Sequence, residues 1–182
     1  MDPSQHYAFD DYIHKHRCDN IADAQVLICR MKSAEAQAAS DLFREVLLEL
    51  PYYNKRAKET ELARYSADFL RQSITSDRDS VLLAKAGGVP VGFCFSRDDD
   101  GVVWLSWFGV RSSFRHCGVG TALLIALERS VATGRSHKIW CDCRTENCES
   151  ISVLTANKYV QLCTVREHWY GQDFILWEKF VS

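Results

Sequence analysis

The chain has 182 residues, of which 47% are hydrophobic and 25% are charged, a balance typical of one globular domain with a full core. Its formal net charge of -2 gives no electrostatic case for nucleic acid or an anionic membrane as the main partner. No apolar run approaches membrane-spanning length, and the polar residues 1–6 lack the pattern of a signal peptide, so we expect a cytoplasmic protein.

The first half of the chain predicts one strand followed by two helices. Residues 1–23 show no clear period, and we expect an N-terminal extension there, either ordered over the domain or flexible. Residues 24–182 are predicted to form one domain, which opens with an apolar strand over residues 24–31. Ser33 is predicted to cap a helix that Pro51 ends. Apolar residues then return at helical spacing from Glu59 to Ile74.

The second half predicts a sheet interrupted by two helices. Strands are predicted over residues 80–85, 91–95, 101–109, 138–144, 160–170 and 173–180. Helices are predicted over residues 118–133 and 149–158. The order of elements is therefore β, α, α, β, β, β, α, β, α, β, β, which indicates an α/β protein.

Eight cysteines are distributed along the chain, and most of them lie inside apolar strands. In a cytoplasmic protein we expect them to be reduced thiols that pack as small hydrophobic side chains. Cys141 and Cys143 have no partner pair at the spacing of a zinc site, so no metal site is predicted.

A glycine turn, Arg115-x-x-Gly118-x-Gly120, lies between the strand over residues 101–109 and the next helix. Such a turn presents free backbone N–H groups at a helix N-terminus, where the helix dipole favours an anion. Gly118 and Gly120 lack a Cβ atom, so a phosphate can approach the main chain closely, and Arg111 and Arg115 add positive charge. The turn is neither a Walker A loop nor a dinucleotide fingerprint. The alternative is a glycine turn with a structural role alone.

The spacing Arg115-x-x-Gly118-x-Gly120 resembles the pyrophosphate loop of the GNAT superfamily, the acetyl-CoA-dependent N-acetyltransferases. The predicted order of elements is also that of the GNAT fold, a central mixed, mostly antiparallel sheet of about seven strands with helices on both faces. The resemblance spans residue 24 to the C-terminus. It implies acetyl-CoA as co-substrate, with the backbone of Phe108, Gly109 and Val110 aligning the pantetheine arm and stabilising an oxyanion. The pyrophosphate is implied to lie on Arg115, His116, Cys117, Gly118, Val119, Gly120 and Thr121.

The stretch that begins Arg144-x-x-Asn147 resembles the second GNAT signature, Arg-x-x-Asn followed by a helix and Leu-Tyr-x-x-x-Gly-Phe. The resemblance implies that Asn147 binds near the pantetheine, with Ser150 on the next helical turn. Asn147 is also a candidate helix N-cap, and both roles are compatible. The closest pattern is that of the ribosomal-protein and N-terminal alanine acetyltransferases, whose acid falls on Asp142. Asp142 is therefore the implied base, and a purely structural Asp142–Arg144 pair is the alternative.

Three positions depart from the family pattern. The tyrosine that protonates the leaving thiolate falls on Thr155, the Gly-Phe pair falls on Tyr159-Val160, and a common glutamate falls near Trp104. Expelling a thiolate of pKa near 8.5 at pH 7 costs only about 2 kcal/mol, so loss of the tyrosine is a modest handicap.

The resemblance thus implies an N-acetyltransferase that transfers an acetyl group to a primary amine of a small molecule or peptide by direct attack in a ternary complex. Asp142 and Thr155 are the implied catalytic residues, and Trp104 and Trp107 are expected to wall the acceptor pocket. The first alternative is a catalytically impaired GNAT domain that acts as an acyl-CoA-binding module. The second is a structural domain with an empty turn. A homodimer is kept as one expected assembly, and no motif in the sequence identifies the acceptor amine.

Overall fold

The computed structural model of the protein describes residues 16–17, 25–133 and 136–181. Eight strands and five α-helices lie within these ranges. The strands are β1 (His16–Arg17), β2 (Gln25–Arg30), β3 (Val81–Ala86), β4 (Val89–Asp99), β5 (Val102–Val110), β6 (Lys138–Arg144), β7 (Val160–Val165) and β8 (Phe174–Phe180). The helices are α1 (Ala36–Glu49), α2 (Lys55–Arg64), α3 (Ala67–Ser76), α4 (Val119–Ala132) and α5 (Cys148–Ala156).

The eight strands form one sheet in the order β1-β2-β3-β4-β5-β6-β8-β7. Every neighbouring pair among these strands is antiparallel except β5 and β6, which run parallel. The predicted mixed, mostly antiparallel sheet is confirmed. The two-residue strand β1 pairs with β2 from within the predicted extension, and most of residues 1–24 lie outside the described ranges. The domain boundary at residue 23 stays a prediction.

Helices cover both faces of the sheet, as predicted. On one face, α4 inserts Leu123 and Leu127 into a core that includes Leu105 of β5. On the other face, α1 inserts Phe43 against Phe93 of β4. Burying apolar side chains on both faces is what makes the central strands read as near-continuous apolar runs.

The predicted helix from Glu59 to Ile74 is wrong in its extent, because the chain breaks between α2 and α3. Ser66 has an extended backbone and its side chain accepts a hydrogen bond from the Phe69 N–H at 3.3 Å, so it caps α3. The predicted cap at Ser33 is also wrong. The Glu35 carboxylate instead accepts a hydrogen bond from the Lys32 N–H at 2.8 Å, before a short 3₁₀ turn that leads into α1.

The closing strand predicted over residues 160–170 ends early, at Val165. Glu167 and Tyr170 have φ angles of 50° and 60°, which a strand does not allow. The chain instead makes a turn and a 3₁₀ segment over Trp169–Gly171 before β8 begins. The aromatic residues at 168–170 have high strand propensity, although they belong to a loop.

A gap opens in the sheet between the C-terminal halves of β5 and β6. The two strands pair only where Val103–Leu105 faces Ile139–Cys141. Just beyond, Trp107 pairs with Phe95 and Leu105 with Ser96, so Ser106 is left out of the ladder as a β-bulge. A bulge bends the strand that carries it, and β5 then follows β4 while β6 follows β8. The two strands are therefore unpaired beside residues 108–110.

Candidate active site

The first component of the site is a cavity of about 480 Å³ at the N-terminus of α4, here called the smaller cavity. Gly118 is the N-cap of α4, has a left-handed backbone (φ 74°) and carries no side chain that could cap the helix. The first hydrogen bond of the helix runs from the Ala122 N–H to the Gly118 carbonyl, at 3.0 Å. The N–H groups of Val119, Gly120 and Thr121 therefore have no partner within the helix. The positive end of the helix dipole lies at this cavity, which suits an anion.

Packing does not explain why a glycine occupies position 120, because there is space for a side chain there. A Cβ atom built on Gly120 would come no closer than 3.9 Å to Val153, an ordinary contact. Glycine inside a helix costs up to about 1 kcal/mol relative to alanine. Gly109 is different, because a Cβ atom there would lie 2.7 Å from the Phe93 ring. Packing explains the glycine at 109, whereas the space at 120 fits a group that approaches the main chain.

The two arginines near the turn are paired with acids of α1. Arg111 makes a two-bond ion pair with Glu45, at 2.8 and 3.0 Å. It lines neither the smaller cavity nor the larger cavity described below. Arg115 lines the smaller cavity, donates to Glu49 at 2.9 Å and donates through Nε to the Val110 carbonyl at 3.0 Å. The expectation that Arg111 adds charge at the turn is therefore not met, because Arg111 lies outside the cavities and pairs with Glu45. The N–H groups of the helix end are the more available donors.

The edge of β5 that borders the gap exposes alternate backbone groups. The Arg111 N–H donates to the Val91 carbonyl at 2.8 Å, which fixes the alternation of the antiparallel ladder. Gly109 therefore directs its N–H towards β4, while Phe108 and Val110 direct theirs into the gap. Of the three residues predicted to align a ligand through their backbone, two present an N–H group there.

Asn147 and Ser150 lie where the smaller cavity meets a second, larger one. The Asn147 side chain accepts a hydrogen bond from the Ser150 N–H at 3.0 Å and caps α5, so its predicted N-cap role is confirmed. The two cavities share four lining residues, which are Leu50, Phe108, Asn147 and Ser150. A ligand that enters along the α4 turn can thus reach the second cavity through the gap.

The larger cavity has a volume of about 870 Å³ and contains Asp142, Trp104 and Trp107 in its wall. Asp142 is the first residue of β6 after its last pairing with β5, so it lies at the apex of the gap. Burial raises the pKa of the Asp142 carboxyl to about 6, although a hydrogen bond from Trp169 works in the opposite direction. A carboxylate with such a pKa is suited to accept a proton near neutral pH.

The alternative role of Asp142, a structural pair with Arg144, is contradicted. Arg144 is buried and pairs instead with Glu146 at 2.7 Å. Its Nη1 donates to the Asp173 carbonyl at 2.6 Å, and its Nε donates to the Tyr52 carbonyl at 3.3 Å. Arg144 thus ties the end of β6 to two loops and leaves Asp142 available to the cavity.

Glu61 is a second carboxylate in the larger cavity, and the sequence reasoning missed it. It is 4% exposed and accepts hydrogen bonds from the Trp107 indole N–H at 2.9 Å and from the Tyr170 hydroxyl. Arg64 pairs with the same carboxylate at 3.1 Å. A signal was available, because Glu61 is spaced four residues from both Ala57 and Tyr65 and therefore lies on the buried stripe of its helix.

Two loops that border the cavities, one after α1 and one after β7, are bridged to each other. Asn54 donates through its side chain to the Tyr170 carbonyl at 3.0 Å, and Gln172 donates to the Tyr52 carbonyl at 2.9 Å. Tyr53, Trp169 and Tyr170 line the larger cavity, whereas Tyr52 lines the smaller one. The bridges hold the loop after β7 against the loop after α1, over the site.

Two of the predicted site residues lie apart from the cavities. Thr155 is exposed on α5 and lines neither of them, and Cys117 is 8% exposed with its side chain in the core. His116, Gly118, Val119, Gly120 and Thr121 all line the smaller cavity. The geometry gives no support to a role for Thr155 in proton transfer.

The backbone near Thr155 also fits the second signature one residue earlier than predicted. Lys158 has a φ of 63°, the left-handed conformation that favours glycine. If the glycine of the signature falls on Lys158, its tyrosine falls on Leu154, which is fully buried in the core. Neither register puts a tyrosine hydroxyl on α5.

In the part of the chain that the structure describes, no group of three or more His, Cys, Asp or Glu side chains could hold a metal ion. None of the described helices is long and apolar enough to cross a membrane. The seven described cysteines are free thiols.

Comparison with known proteins gives one family match and many fold matches. The sequence model of the acetyltransferase (GNAT) family matches residues 40–157, well over half of the chain. Among curated protein sequences, no significant match to the chain is found.

Solved structures with the same fold include three acetyltransferases. The PaiA N-acetyltransferase of Thermoplasma acidophilum, in complex with coenzyme A, has a TM-score of 0.73 at 19% identity and covers 85% of this chain and 98% of its own. YncA of Salmonella typhimurium, with its cofactor acetyl-CoA, has a TM-score of 0.67 at 17% identity, covering 86% and 94%. The ribosomal-protein-S18-alanine N-acetyltransferase of Escherichia coli has a TM-score of 0.66 at 16% identity, also covering 86% and 94%.

Proposed function

The chain belongs to the GNAT family of acetyltransferases, and we propose that it transfers the acetyl group of acetyl-CoA to a primary amine by direct attack in a ternary complex. One observation carries this proposal. The gap between β5 and β6 joins a cavity at an uncapped helix N-terminus to a second cavity that contains a carboxylate, Asp142. Such an arrangement can bring a bound thioester and an amine together at one point.

In this proposal the smaller cavity binds the coenzyme A part of the co-substrate. The N–H groups of Val119, Gly120 and Thr121 bind the pyrophosphate, supported by Arg115 and by the space at Gly120. The pantetheine arm runs through the gap and is aligned by the N–H groups of Phe108 and Val110 and by the amide of Asn147. Structural neighbours that contain coenzyme A or acetyl-CoA support this assignment.

The acceptor amine enters the larger cavity and meets Asp142. The amine nitrogen forms a bond to the acetyl carbonyl carbon, the carbon–sulfur bond breaks, and coenzyme A leaves as a thiolate that then takes up a proton. Asp142 accepts the proton that the amine must lose. An N–H group of Phe108 or Val110 stabilises the negative charge that develops on the carbonyl oxygen.

The assistance required depends on the acceptor. At pH 7, converting a lysine-like amine of pKa ~10.4 to its neutral form costs about 4.6 kcal/mol, whereas converting an α-amine of pKa ~7.8 costs about 1 kcal/mol. The larger cavity has aromatic walls and is lined by four carboxylates and two arginines, a balance that favours a cationic amine without a nearby carboxylate. Both small-molecule amines and peptide amines are compatible with these features. A homodimer and a cytoplasmic location stay predictions.

An acyl-CoA-binding module without turnover is the second candidate, and one observation favours it. Thr155, at the predicted position of the family acid, is exposed and lies outside both cavities. The two functions are separated by measuring free coenzyme A thiol with a panel of polyamines, aminoglycosides, amino acids and N-terminal peptides. Amine-dependent thiol release supports the transferase. Binding of acetyl-CoA without release for any amine supports the module.

A further inference from the structure

The indole of Trp169 is bonded directly to the carboxylate at the apex of the gap. Its Nε1–H donates to Asp142 Oδ2 at 2.6 Å, although the two residues are 27 positions apart in the chain. Asp142 Oδ1 has no hydrogen-bond partner within residues 25–133 and 136–181. One oxygen of the carboxylate is therefore held by the protein, and the other is open to the larger cavity.

The position of Trp169 is fixed although the residue is 48% exposed. Within the loop, the His168 N–H donates to the Gln172 carbonyl at 2.9 Å, and the Glu167 N–H donates to the Asp173 carboxylate at 2.8 Å. The next residue, Tyr170, is held by Glu61 and by Asn54. The indole is thus presented to Asp142 by a loop that is tied at both ends.

We propose that Trp169 is a positioning residue of the acetyl-transfer reaction, one that holds Asp142 so that its second oxygen can take the proton of the amine. This inference rests on the proposed function, in which Asp142 is the base. Trp169 acts through Asp142 and is not itself required to touch the reacting atoms. It is absent from both family signatures, and only the fold brings it to the site.

The electrostatic surroundings of Asp142 give this hydrogen bond a measurable consequence. Burial raises the pKa of Asp142, and the negative charge of Glu61 raises it further, while the Trp169 hydrogen bond and His168 lower it. The other titratable groups that interact with Asp142 are Tyr53 from the loop after α1, and Cys141 and Cys143 from its own strand. Loss of the indole N–H should therefore leave the carboxyl protonated at a higher pH.

A carboxyl titration by ¹³C NMR on the full chain tests the contact without any need for turnover. We expect Trp169→Phe, which keeps an aromatic ring, to raise the pKa of Asp142 from about 6 to about 7, the effect of losing one charge-assisted hydrogen bond. Trp140→Phe is the matched control. Trp140 lies two residues before Asp142, and its buried indole N–H has no hydrogen-bond partner in the described structure. That variant should leave the pKa of Asp142 unchanged.

The pH profile of kcat/KM tests the role in the reaction. Trp169→Phe should lower kcat/KM about tenfold below pH 6 and approach the wild-type value above pH 8, where Asp142 is ionised in both proteins. An unchanged pKa of Asp142, or a loss of activity that is equal at every pH, overturns the proposal while the proposed function stands. A wild-type protein without turnover overturns the proposed function, and this inference with it, even if the titration shows the contact.

Discussion

Leu105 and Cys141 are the last Cα partners of the parallel ladder between β5 and β6. The next residue of β5, Ser106, is the bulge, and the next residue of β6 is Asp142. The same point at which backbone pairing fails is therefore the point at which a carboxylate enters the cavity. The gap supplies unpaired N–H groups on one side and an acid on the other, which is the geometry that the proposed reaction uses.

The helix end at Gly120 provides a direct test of co-substrate binding. Acetyl-CoA should raise the melting temperature of the wild-type protein and leave that of Gly120→Asp unmoved, because the carboxylate would repel the pyrophosphate from the N–H groups. Gly120→Ala is the control for folding. Its Cβ atom fits at 3.9 Å from Val153, and it should stabilise the free protein by up to about 1 kcal/mol. Equal ligand-induced shifts in the wild-type protein and Gly120→Asp would contradict this assignment.

Burial of Asp142 predicts a pH-dependent effect on stability. The folded protein binds the Asp142 proton more tightly than the unfolded chain, because the pKa rises from 3.8 to about 6. Stability from this group is therefore present below pH 4 and is lost as the pH rises through about 6. At pH 7, Asp142→Asn should be more stable than the wild-type protein by up to about 3 kcal/mol, and at pH 4 the two should be equal.

Chemical denaturation at a series of pH values measures this difference. Asp41→Asn removes the same charge from an exposed position of α1 and serves as the control for net charge. A destabilised Asp142→Asn variant at pH 7 would show that the carboxylate is a structural group and that its burial is fully compensated.

Glu61 is predicted to stabilise the wall of the larger cavity through its bonds to Arg64, Trp107 and Tyr170. Glu61→Gln removes the charge that Arg64 pairs with and places N–H groups opposite the donors of Trp107 and Tyr170. An unsatisfied buried donor costs about 1–3 kcal/mol, so the midpoint of thermal unfolding should fall by several degrees. Glu59→Gln, on the exposed side of the same helix, should produce no measurable change. Equal changes in the unfolding midpoint for Glu61→Gln and Glu59→Gln would contradict a stabilising role of Glu61.

Thr155 is predicted to have little effect on turnover. Its side chain is exposed and lines neither cavity, and a threonine hydroxyl is a poor acid. Thr155→Val should therefore lower kcat less than tenfold, measured by thiol release at pH 7 and 8. A thousandfold loss would mean that Thr155, or a water that it holds, protonates the leaving group.

Local patterns in the sequence were enough to predict most of the fold. The alternating residues at 138–144 form the predicted strand, and the turn before Val119 starts the predicted helix. The break at Ser66 was missed because the apolar period continues across it, and only the cap distinguishes two helices from one. Residues 166–170 were predicted to be strand because the aromatic residues among them have strand propensity, although the left-handed backbone of Tyr170 excludes a strand there.

The part of the candidate site that is proposed to bind the co-substrate was more predictable than the part that is proposed to carry out proton transfer. The glycine turn is a local feature, so its spacing alone indicated an anion site. Glu61 and Trp169 reach the site from elements far away in the chain, and no local pattern distinguishes them from a surface acid and a loop aromatic. Contacts of this kind depend on how the sheet and its loops pack, which the sequence does not show directly.

The central claim is tested most directly by the rate of coenzyme A thiol release with the amine panel, in the wild-type protein and in Asp142→Asn. The account predicts amine-dependent release by the wild-type protein. It predicts a rate at least about a hundredfold lower in Asp142→Asn at neutral pH, with acetyl-CoA binding unchanged and partial recovery as the pH rises. Amine-dependent release at equal rates in both proteins would contradict the role of Asp142. No release with any amine would contradict the proposed function itself, whether or not acetyl-CoA binds.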